Sequence, residues 1–373
     1  MAVGGRVRAM KILVIARPYV FHGGVESATA GLMRALVAHG HEVHRAGPGR
    51  QAPERGVHDH PLRIPPLPSP ARSLALAIAA ARVARRGGWD IVQSHERTLV
   101  QDIYRAGEGC HRAFLDAMGD RAGRRLHHGI TLALERRVFA RTPRVVAISR
   151  RGADEIARHY AVPPARLSVV YNGVDLERFH PRQRAQQRAG ARAEAAVPAG
   201  AFTVLFAGSG FARKGLATAI RALHRLEDPD ARLLVLGRGD AAPYRQLAAE
   251  LGIASRVEWL GARADIDRWY AAADALALPT RYEPFGNVHL EALASGLPVV
   301  TSLVAGGAEV VDDRCGAVVA PDDAMGFAAA LDKLRRRNSA DLAEAARAAA
   351  APFTFTRQVA ALEEIYRQLG RNR

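Results

Sequence analysis

Short apolar runs alternate with amphipathic stretches along most of the chain. Residues 11–16 form an apolar run rich in β-branched side chains, and residues 26–39 follow with apolar side chains at helical spacing. Such runs predict strands that are buried on both faces, and the stretches between them predict the helices that cover the sheet. The first half of the chain has further predicted strands at residues 90–94, 102–106, 144–149 and 167–171.

A second alternating series begins after a polar segment. Residues 183–200 are rich in alanine, arginine and glutamine and have little apolar content, so we interpret them as a linker or a surface helix. The strands that follow are predicted at residues 203–207, 233–236, 257–260, 275–278, 299–301 and 317–319. Because alternating strands and helices are typical of doubly wound α/β domains, the pattern predicts two of them, residues 1–178 and residues 179–352.

Composition narrows the class of protein. The 373 residues are 49% hydrophobic and 24% charged, as in a globular chain, and no apolar run approaches the ~20 residues of a membrane-spanning helix. Residues 1–9 are too short and too basic for a signal peptide, and a translation start at Met10 is an alternative. Since Cys110 and Cys315 are the only cysteines, we expect a reducing, cytoplasmic location.

Positive charge is concentrated in the first half. Residues 1–180 carry 28 lysines and arginines against 15 acids, whereas residues 181–373 carry 25 against 22. Nucleic acid, an anionic membrane surface or a phosphorylated substrate would each complement this charge.

Two glutamates bracket a predicted turn in the second domain. Glu283 precedes a Pro-Phe-Gly-Asn turn, and Glu291 lies in the helix that we expect to begin with Asn287 as its N-cap and to end at Gly296. The free N–H groups of such a turn bind anions or hydroxyls, with a carboxylate on either side. The alternative is a solvated loop acid followed by a helix-surface acid.

This motif resembles the retaining glycosyltransferases of family four. The resemblance implies the GT-B architecture, with two Rossmann-like domains facing each other across a cleft and a last helix, within residues 353–373, packed back on the first domain. It also implies that Glu283 contacts the transferred sugar and that Glu291 contacts the ribose. The intervening donor-binding positions would be Phe285, Gly286, Asn287 and Val288.

A glycine-rich segment at residues 208–215 is predicted to connect a strand to a helix. A dinucleotide fingerprint would have a third glycine where Arg213 stands, which disfavours hydride chemistry. Gly208 allows close approach of a ligand, and Arg213 with Lys214 would stabilise a diphosphate leaving group, a role that the family resemblance assigns without a metal ion or cofactor. The alternative is a pair of surface cations. Arg238 and Ala262, at two strand ends, are predicted contacts of the nucleobase.

The first domain contributes two candidate groups. Gly23 and Gly24 would let the diphosphate approach from the opposite side, although a simple tight turn is an alternative. Glu108 lies in a segment that looks like the lipopolysaccharide-core glucosyltransferases, where an acid occupies this place near the anomeric carbon. The alternative is a carboxylate paired with Arg105 or Arg112.

Two other kinds of chemistry fit the sequence poorly. Cys110 with His111, and His127 with His128, lack a convincing metal-ligand spacing, so no metal site is predicted. Glu283 and Glu291 belong to one turn-helix unit, whereas a glycosidase needs two carboxylates on opposite sides of one bond.

Residues 111–151 combine many arginines with interspersed apolar residues. This composition is typical of a segment that lies on anionic lipid, and the subgroup resemblance places a membrane contact here. Two surface helices with inward apolar faces are the alternative. The candidate contacts are Arg112, Arg121, Arg124 and Arg125.

The expected function is therefore a metal-independent, retaining transfer of a hexose, expected to be glucose. The donor would be a nucleotide diphosphate sugar, expected to be linked to UDP, and the acceptor a lipopolysaccharide-core or other lipid-linked glycan at the inner face of the cytoplasmic membrane. A soluble acceptor is the nearest alternative. A basic nucleic-acid-binding α/β protein is the alternative from another class, but the chain has no recognised nucleic-acid-binding module.

Overall fold

The computed structural model describes residues 8–17, 24–49, 54–119 and 125–370. These form two compact units: the first is Met1–Gly173 with Phe355–Arg373, and the second is Val174–Thr354.

The first unit is built on a parallel sheet. Its strands lie in the order β3-β2-β1-β4-β5-β6-β7, so the chain reverses its direction of winding between β1 and β4. Ile12 and Leu13 point to opposite faces of β1, and both are fully buried because helices cover both faces of the sheet. The elements are β1 (Lys11–Ile15), α1 (Gly24–Ala38), β2 (Glu42–Pro48), β3 (Val57–Leu62), α2 (Ser69–Arg85), β4 (Ile91–Ser94), β5 (Ile103–Ala106), α3 (His111–Met118), α4 (Arg125–Arg141), β6 (Arg144–Ala147), α5 (Arg150–Tyr160) and β7 (Leu167–Val169).

The second unit repeats the plan with a six-stranded parallel sheet. Its order is β10-β9-β8-β11-β12-β13, and the winding reverses between β8 and β11. The elements are α6 (Arg182–Glu194), β8 (Thr203–Ala207), α7 (Phe211–Lys214), α8 (Leu216–Arg225), β9 (Arg232–Leu236), α9 (Ala242–Glu250), β10 (Val257–Gly261), α10 (Ile266–Ala272), β11 (Ala275–Leu278), α11 (Asn287–Ala294), β12 (Val299–Ser302), β13 (Gly316–Val319), α12 (Ala324–Arg335) and α13 (Ser339–Ala350).

The last helix, α14 (Phe355–Gly370), belongs to the first unit. Val359, Leu362 and Tyr366 on its inner face are buried in the same apolar cluster as Ile12 of β1 and Leu32 of α1. Burial of one apolar stripe is what holds an amphipathic helix against a sheet domain.

The polar segment at residues 183–200 contains a helix that is held by ion pairs. Arg184, Arg188 and Arg192, one turn apart on α6, donate to the carboxylate of Asp274 at 2.6, 2.7 and 2.7 Å. Of the two predicted alternatives, a linker or a surface helix, the structure has the helix, whose arginines at four-residue intervals lie on one face.

The edge strand β3, its neighbour β2 and one helix were not predicted from the sequence. β2 and β3 contain His44, Arg45, His58, Asp59 and His60, and these polar residues interrupt the apolar runs by which the other strands were recognised. The edge strand β3 tolerates such residues because it is largely exposed, and the buried polar residues of β2 are paired, with Arg45 on Asp59 and His44 on Glu42. The helix α2 was not predicted either.

Candidate active site

The main candidate site lies where two loops leave neighbouring strands of the second unit. The loop after β8 leads into α7, and the loop after β11 leads into α11. Since β8 and β11 flank the point where the winding reverses, their carboxyl ends form the crevice in which doubly wound sheets bind ligands. Arg213 and Lys214 lie in α7, directly after the first loop, and Glu283 lies in the second loop.

Glu283 is held between two cations. Lys214 Nζ and Arg213 Nη1 both donate to Glu283 Oε2, and Arg213 Nη1 lies 2.9 Å from that oxygen. Arg213 also donates to the carbonyl of Tyr282. Lys214 and Glu283 are buried. Burial would raise the pKa of Glu283, but Lys214 and Arg213 together lower that pKa to about 2. The carboxylate is therefore ionised, and the three groups form one charged cluster with a net positive charge.

Gly208 makes room for this cluster. A Cβ at Gly208 would lie 2.9 Å from Cε of Lys214, and the φ angle of +152° lies in a region that other residues rarely adopt. The lysine stem therefore runs directly over the backbone at the end of β8.

The turn before α11 differs from the prediction in one detail. Gly286, with φ of +81°, is the residue that caps the helix, and Asn287 is the first helical residue rather than the N-cap. A left-handed φ at this position favours glycine, and a Cβ there would lie 2.8 Å from Nδ1 of His289.

His289, which was not among the predicted site residues, is buried against the turn before α11. Its Nδ1 lies 2.7 Å from the carbonyl oxygen of Gly286, and its Nε2 lies 2.7 Å from the hydroxyl of Thr301. Burial lowers the pKa of His289 to about 4, so the ring is neutral. Because a carbonyl can only accept, Nδ1 carries the proton and Nε2 accepts from Thr301. The sequence signal for a buried His289 was its position on the same face of the predicted helix as the apolar side chains.

Glu291 lies one turn into α11 and is buried. Tyr270 donates its hydroxyl to Glu291 Oε2 at 2.8 Å, and burial raises the pKa of this carboxyl above its ordinary value. Glu283 and Glu291 thus belong to one turn-helix unit, but their environments differ: two cations surround the first, and a phenol contacts the second.

The other predicted donor-binding residues surround the same loops. Arg238 is exposed, and its backbone joins the loops after β8 and β9, because its N–H donates to Ser209 Oγ and its carbonyl accepts from Gly210. Ala262 is exposed directly after β10, and Val288 is partly exposed. Phe285 is fully buried, so its side chain belongs to the core and only its backbone faces the turn.

In the first unit, a second charged cluster lies at the corresponding reversal between β1 and β4. Arg17 follows β1, Glu96 and Arg97 follow β4, and Glu108 follows β5. Arg17 contacts Glu108 at 2.8 Å and Glu96 at 2.9 Å, and Arg97 contacts Glu108 at 3.0 Å. Burial raises the pKa of Glu108, but Arg17 and Arg97 bring it below its ordinary value.

The alternative partners proposed for Glu108 were wrong. Arg105 is buried in the sheet and donates to Asn172, and Arg112 lies 3.7 Å from Asp116. Arg105 is bound to Asn172, whereas Arg17 and Arg97 reach Glu108 from the loops that follow β1 and β4.

Arg97 also connects Glu108 to a deeper carboxylate. Glu135 on α4 is fully buried, accepts from Arg97 at 3.0 Å and from the hydroxyl of Tyr160 at 2.6 Å, and receives the backbone N–H of His111. Arg17, Glu96, Arg97 and Glu135 were all missed because no local pattern marks them. Gly24 begins α1, and Gly23 lies outside the described residues.

The arginine-rich segment forms surface helices. The large apolar side chains that the structure describes in α3 and α4 are buried or half-buried, whereas Arg112, Arg136 and Arg137 are exposed. Arg121 and Arg124 lie outside the described residues, and Arg125 begins α4. Within the described ranges, the helices are all too short or too polar to cross a membrane.

Two protein-family models match the chain. Residues 22–178 match the model described as Glycosyltransferase Family 4, and residues 201–337 match the model described as Glycosyl transferases group 1. Each match covers most of one unit, and the second contains Arg213, Lys214, Glu283 and Glu291.

Individual proteins are similar in sequence or in structure. A D-inositol 3-phosphate glycosyltransferase of Saccharomonospora viridis is 37% identical over 251 residues, which cover 63% of this chain and 57% of the relative. The chain spans between 52% and 60% of the length of the first curated relatives that it matches.

Two solved structures share the fold. WaaG, a glycosyltransferase involved in lipopolysaccharide biosynthesis, superimposes with a TM-score of 0.82 at 23% identity and covers 95% of this chain and 99% of its own. Anabaena HepE in complex with UDP and glucose gives a TM-score of 0.74 at 19% identity, covering 95% and 99%. The chain therefore contains a glycosyltransferase family 4 domain followed by a glycosyl transferases group 1 domain, and it has the GT-B fold.

Proposed function

We propose that the protein transfers a hexose, with retention of configuration and without a metal ion, from a nucleotide diphosphate sugar. The observation that carries this proposal is the cluster of Arg213, Lys214 and Glu283 at the winding reversal of the second unit. Two cations that share one carboxylate retain a net positive charge for a second anion. A diphosphate fits this charge, and the cations would stabilise it most as it leaves.

Each group of the cluster has a role in this mechanism. Glu283 would accept hydrogen bonds from hydroxyls of the transferred sugar, and Glu291 would accept them from the ribose. The incoming hydroxyl attacks the anomeric carbon on the face from which the diphosphate leaves. Its proton passes to an oxygen of the leaving phosphate, so that the new glycosidic bond forms as the C–O bond to phosphate breaks, with configuration retained.

We propose UDP-glucose as the donor. The likeness in fold to HepE, whose structure contains UDP and glucose, supports this choice. The exposed Arg238 and Ala262 would lie beside the base, and Glu108 beside the reacting sugar.

For the acceptor, we propose a lipid-linked glycan of the lipopolysaccharide-core kind, reached by peripheral contact with the inner face of the cytoplasmic membrane. The fold shared with WaaG and the excess of arginine in residues 1–180 support this acceptor. The names of the relatives, D-inositol 3-phosphate glycosyltransferases, instead favour a soluble phosphorylated acceptor. Incubation with UDP-[14C]glucose and either acceptor class distinguishes the two.

Calorimetry with UDP tests the donor site. We expect wild-type protein to bind UDP in the presence of EDTA, and Arg213→Ala with Lys214→Ala to lose turnover by orders of magnitude while losing less affinity, because the cations act most on the leaving charge. Arg221→Ala, an exposed cation on the nearby α8, is the matched control and should behave as wild type.

Three results would contradict the proposal. These are a strict requirement for a divalent cation, inverted configuration of the product by NMR, and a melting temperature that rises with an oligonucleotide but not with UDP.

A further inference from the structure

The edge strand β3 and its neighbour β2 in the first unit each carry a pair of polar residues that the proposed transfer reaction does not use. Glu42 and His44 are two residues apart on β2, and His58 and His60 are two residues apart on β3. The strands are parallel, and His44 is directly opposite His58 in the register. Since side chains alternate along a strand, all four project from the same face of the sheet.

His44 contacts the other three side chains. His44 Nε2 lies 2.8 Å from Glu42 Oε1, and His44 Nδ1 lies 2.8 Å from His60 Nε2. The rings of His44 and His58 stack with their centroids 4.7 Å apart, and Trp89 packs against His44 at 4.9 Å. His44 is buried, whereas Glu42 and His58 are exposed, so the group is open to solvent on one side.

We propose that Glu42, His44 and His58 bind one divalent transition-metal ion, such as zinc. One ligand atom from each of these residues lies within 4.8 Å of the other two, so a shared ion needs only small side-chain movements. Imidazole nitrogens with one carboxylate oxygen suit zinc, copper, nickel or cobalt, whereas magnesium and calcium prefer oxygen ligands throughout.

His60 would orient the buried ligand. If His44 binds the ion through Nε2, its Nδ1 carries a proton and donates to His60 Nε2, at the 2.8 Å separation observed. A hydrogen bond of this kind fixes the tautomer and the ring orientation of a metal-binding histidine. Trp89 restricts the same ring from its edge, so His44 is held in place before the ion arrives.

The site is separate from the candidate transfer chemistry. Glu42 is the first residue of β2 and His58 the second of β3, so the group lies toward the amino ends of the strands. Glu108 and its partners follow the carboxyl ends. An ion bound here would bridge β2 to the edge strand β3 and stabilise that edge by binding the folded form.

Lys11 competes with the ion for Glu42. Its ammonium lies 3.0 Å from Glu42 Oε1 and 5.5 Å from the ring centroid of Trp89. A dication and an ammonium cannot share one carboxylate at this distance without repulsion, and Lys11 is exposed enough to move away. Lys11→Met, which removes the charge and keeps the apolar stem, should therefore tighten metal binding.

Equilibrium dialysis and calorimetry with zinc test the proposal on full-length, tag-free protein stripped with chelator. We expect one zinc ion per chain, and cobalt in its place should give the visible bands of a low-coordinate N,O site. His58→Ala should weaken zinc binding at least about tenfold, because it removes a ligand rather than an outer partner. His58 is exposed, so this variant should fold, and an unchanged response to UDP would verify that it does.

Matched histidine variants distinguish this site from others. His224→Ala, exposed on α8, and His127→Ala, next to the His111–His128 pair, should bind zinc as wild type does. The proposal is overturned if wild-type protein binds no zinc, if His58→Ala binds it as tightly as wild type, or if His127→Ala removes it instead.

Discussion

At the scale of single residues, variants of the Lys214–Glu283 ion pair distinguish its effect on stability from its effect on catalysis. Lys214→Ala leaves Glu283 buried with Arg213 as its only cation in the cluster, and we expect a loss of about 3 kcal/mol, the lower end for an uncompensated buried charge. The double variant Lys214→Ala, Glu283→Gln removes both charges. Relative to Lys214→Ala, the double variant should regain most of the lost free energy of unfolding, as measured by urea unfolding. It should regain none of the lost turnover. Recovery of turnover in the double variant would show that neither charge takes part in the reaction.

Glu291 offers a test of ribose recognition. Glu291→Ala should weaken UDP binding by ~1.5 to 3 kcal/mol, the value of a charge-assisted hydrogen bond. Wild type should also discriminate UDP from its deoxyribose analogues in calorimetry, and the variant should not. Tyr270→Phe, which keeps the carboxylate but removes the hydroxyl that donates to it, is the control and should retain discrimination. Equal discrimination in the alanine variant would refute the assignment.

Glu96 should make stability depend on pH near neutrality. Burial, opposed by Arg17, raises the pKa of Glu96 to about 7 from an ordinary value of 4.5. The folded state therefore binds a proton more tightly than the unfolded state, and this contribution is complete below 4.5 and is lost as the pH rises through about 7.

Glu96→Gln removes that titration. The free energy of unfolding of the variant minus that of wild type should increase by more than about 1 kcal/mol as the pH rises from about 5 to about 7.5. Urea unfolding at each pH measures this difference. Asp313→Asn, an exposed acid of the second unit, is the control. A difference between wild type and Glu96→Gln that does not change with pH would contradict the raised pKa.

At the scale of elements, Asp274 is the carboxylate that three arginines of α6 share. Burial raises the pKa of Asp274, but Arg188, Arg184 and Arg192 bring it below its ordinary value, so the carboxylate is ionised. Asp274→Asn would leave three arginines without their counter-charge. We expect a loss of about 2 to 4 kcal/mol by urea unfolding, somewhat under the range for fully buried pairs because Arg184 is partly exposed.

An exposed ion pair at the start of α6 provides the comparison for the effect of Asp274→Asn on stability. Glu177 contacts Arg182 at 2.9 Å but is 81% exposed, so Glu177→Gln should change stability by less than about 1 kcal/mol. Equal effects of the two substitutions would mean that α6 is held by its backbone contacts and not by Asp274.

At the scale of the whole molecule, the distribution of charge and of exposed apolar residues predicts which surface would contact a membrane. The described residues with exposed large apolar side chains include Leu74 and Ile78, one turn apart on α2, and Leu67 just before it. The helix packs beside α4, and Arg82 and Arg85 lie in its last turn. Arginines beside shallow apolar residues suit an anionic lipid surface.

Sedimentation with vesicles measures this contact. Binding to vesicles with anionic lipid should be strong at low salt, weaken as the Debye length falls below about 8 Å, and be absent with zwitterionic lipid. Leu74→Ser with Ile78→Ser should reduce it, and changing Arg121, Arg124 and Arg125 to Glu should abolish it. Met325→Ser, 70% exposed in the second unit, is the control. No binding of wild type at low salt would leave the soluble acceptor as the better proposal.

The sequence by itself determined the features that depend on local pattern. Buried parallel strands need continuous apolar runs, so β1, β4, β8 and β11 were predictable, and with them the winding that brings residues 208–215 and Glu283 to neighbouring strand ends. A glycine before a helix start is equally local, although Asn287 was predicted as the cap and Gly286 is the residue that caps α11.

Tertiary structure decided which charges meet. Arg17 and Arg97 reach Glu108 from different strands, and Asp274 lies more than 80 residues from its arginines, so no spacing along the chain predicts these pairs. The same holds for Glu42, His44 and His58, which meet only because β2 pairs with β3 in one register. Local propensity selects strands and helices, but a long-range ion pair or metal site depends on packing, which only the folded chain specifies.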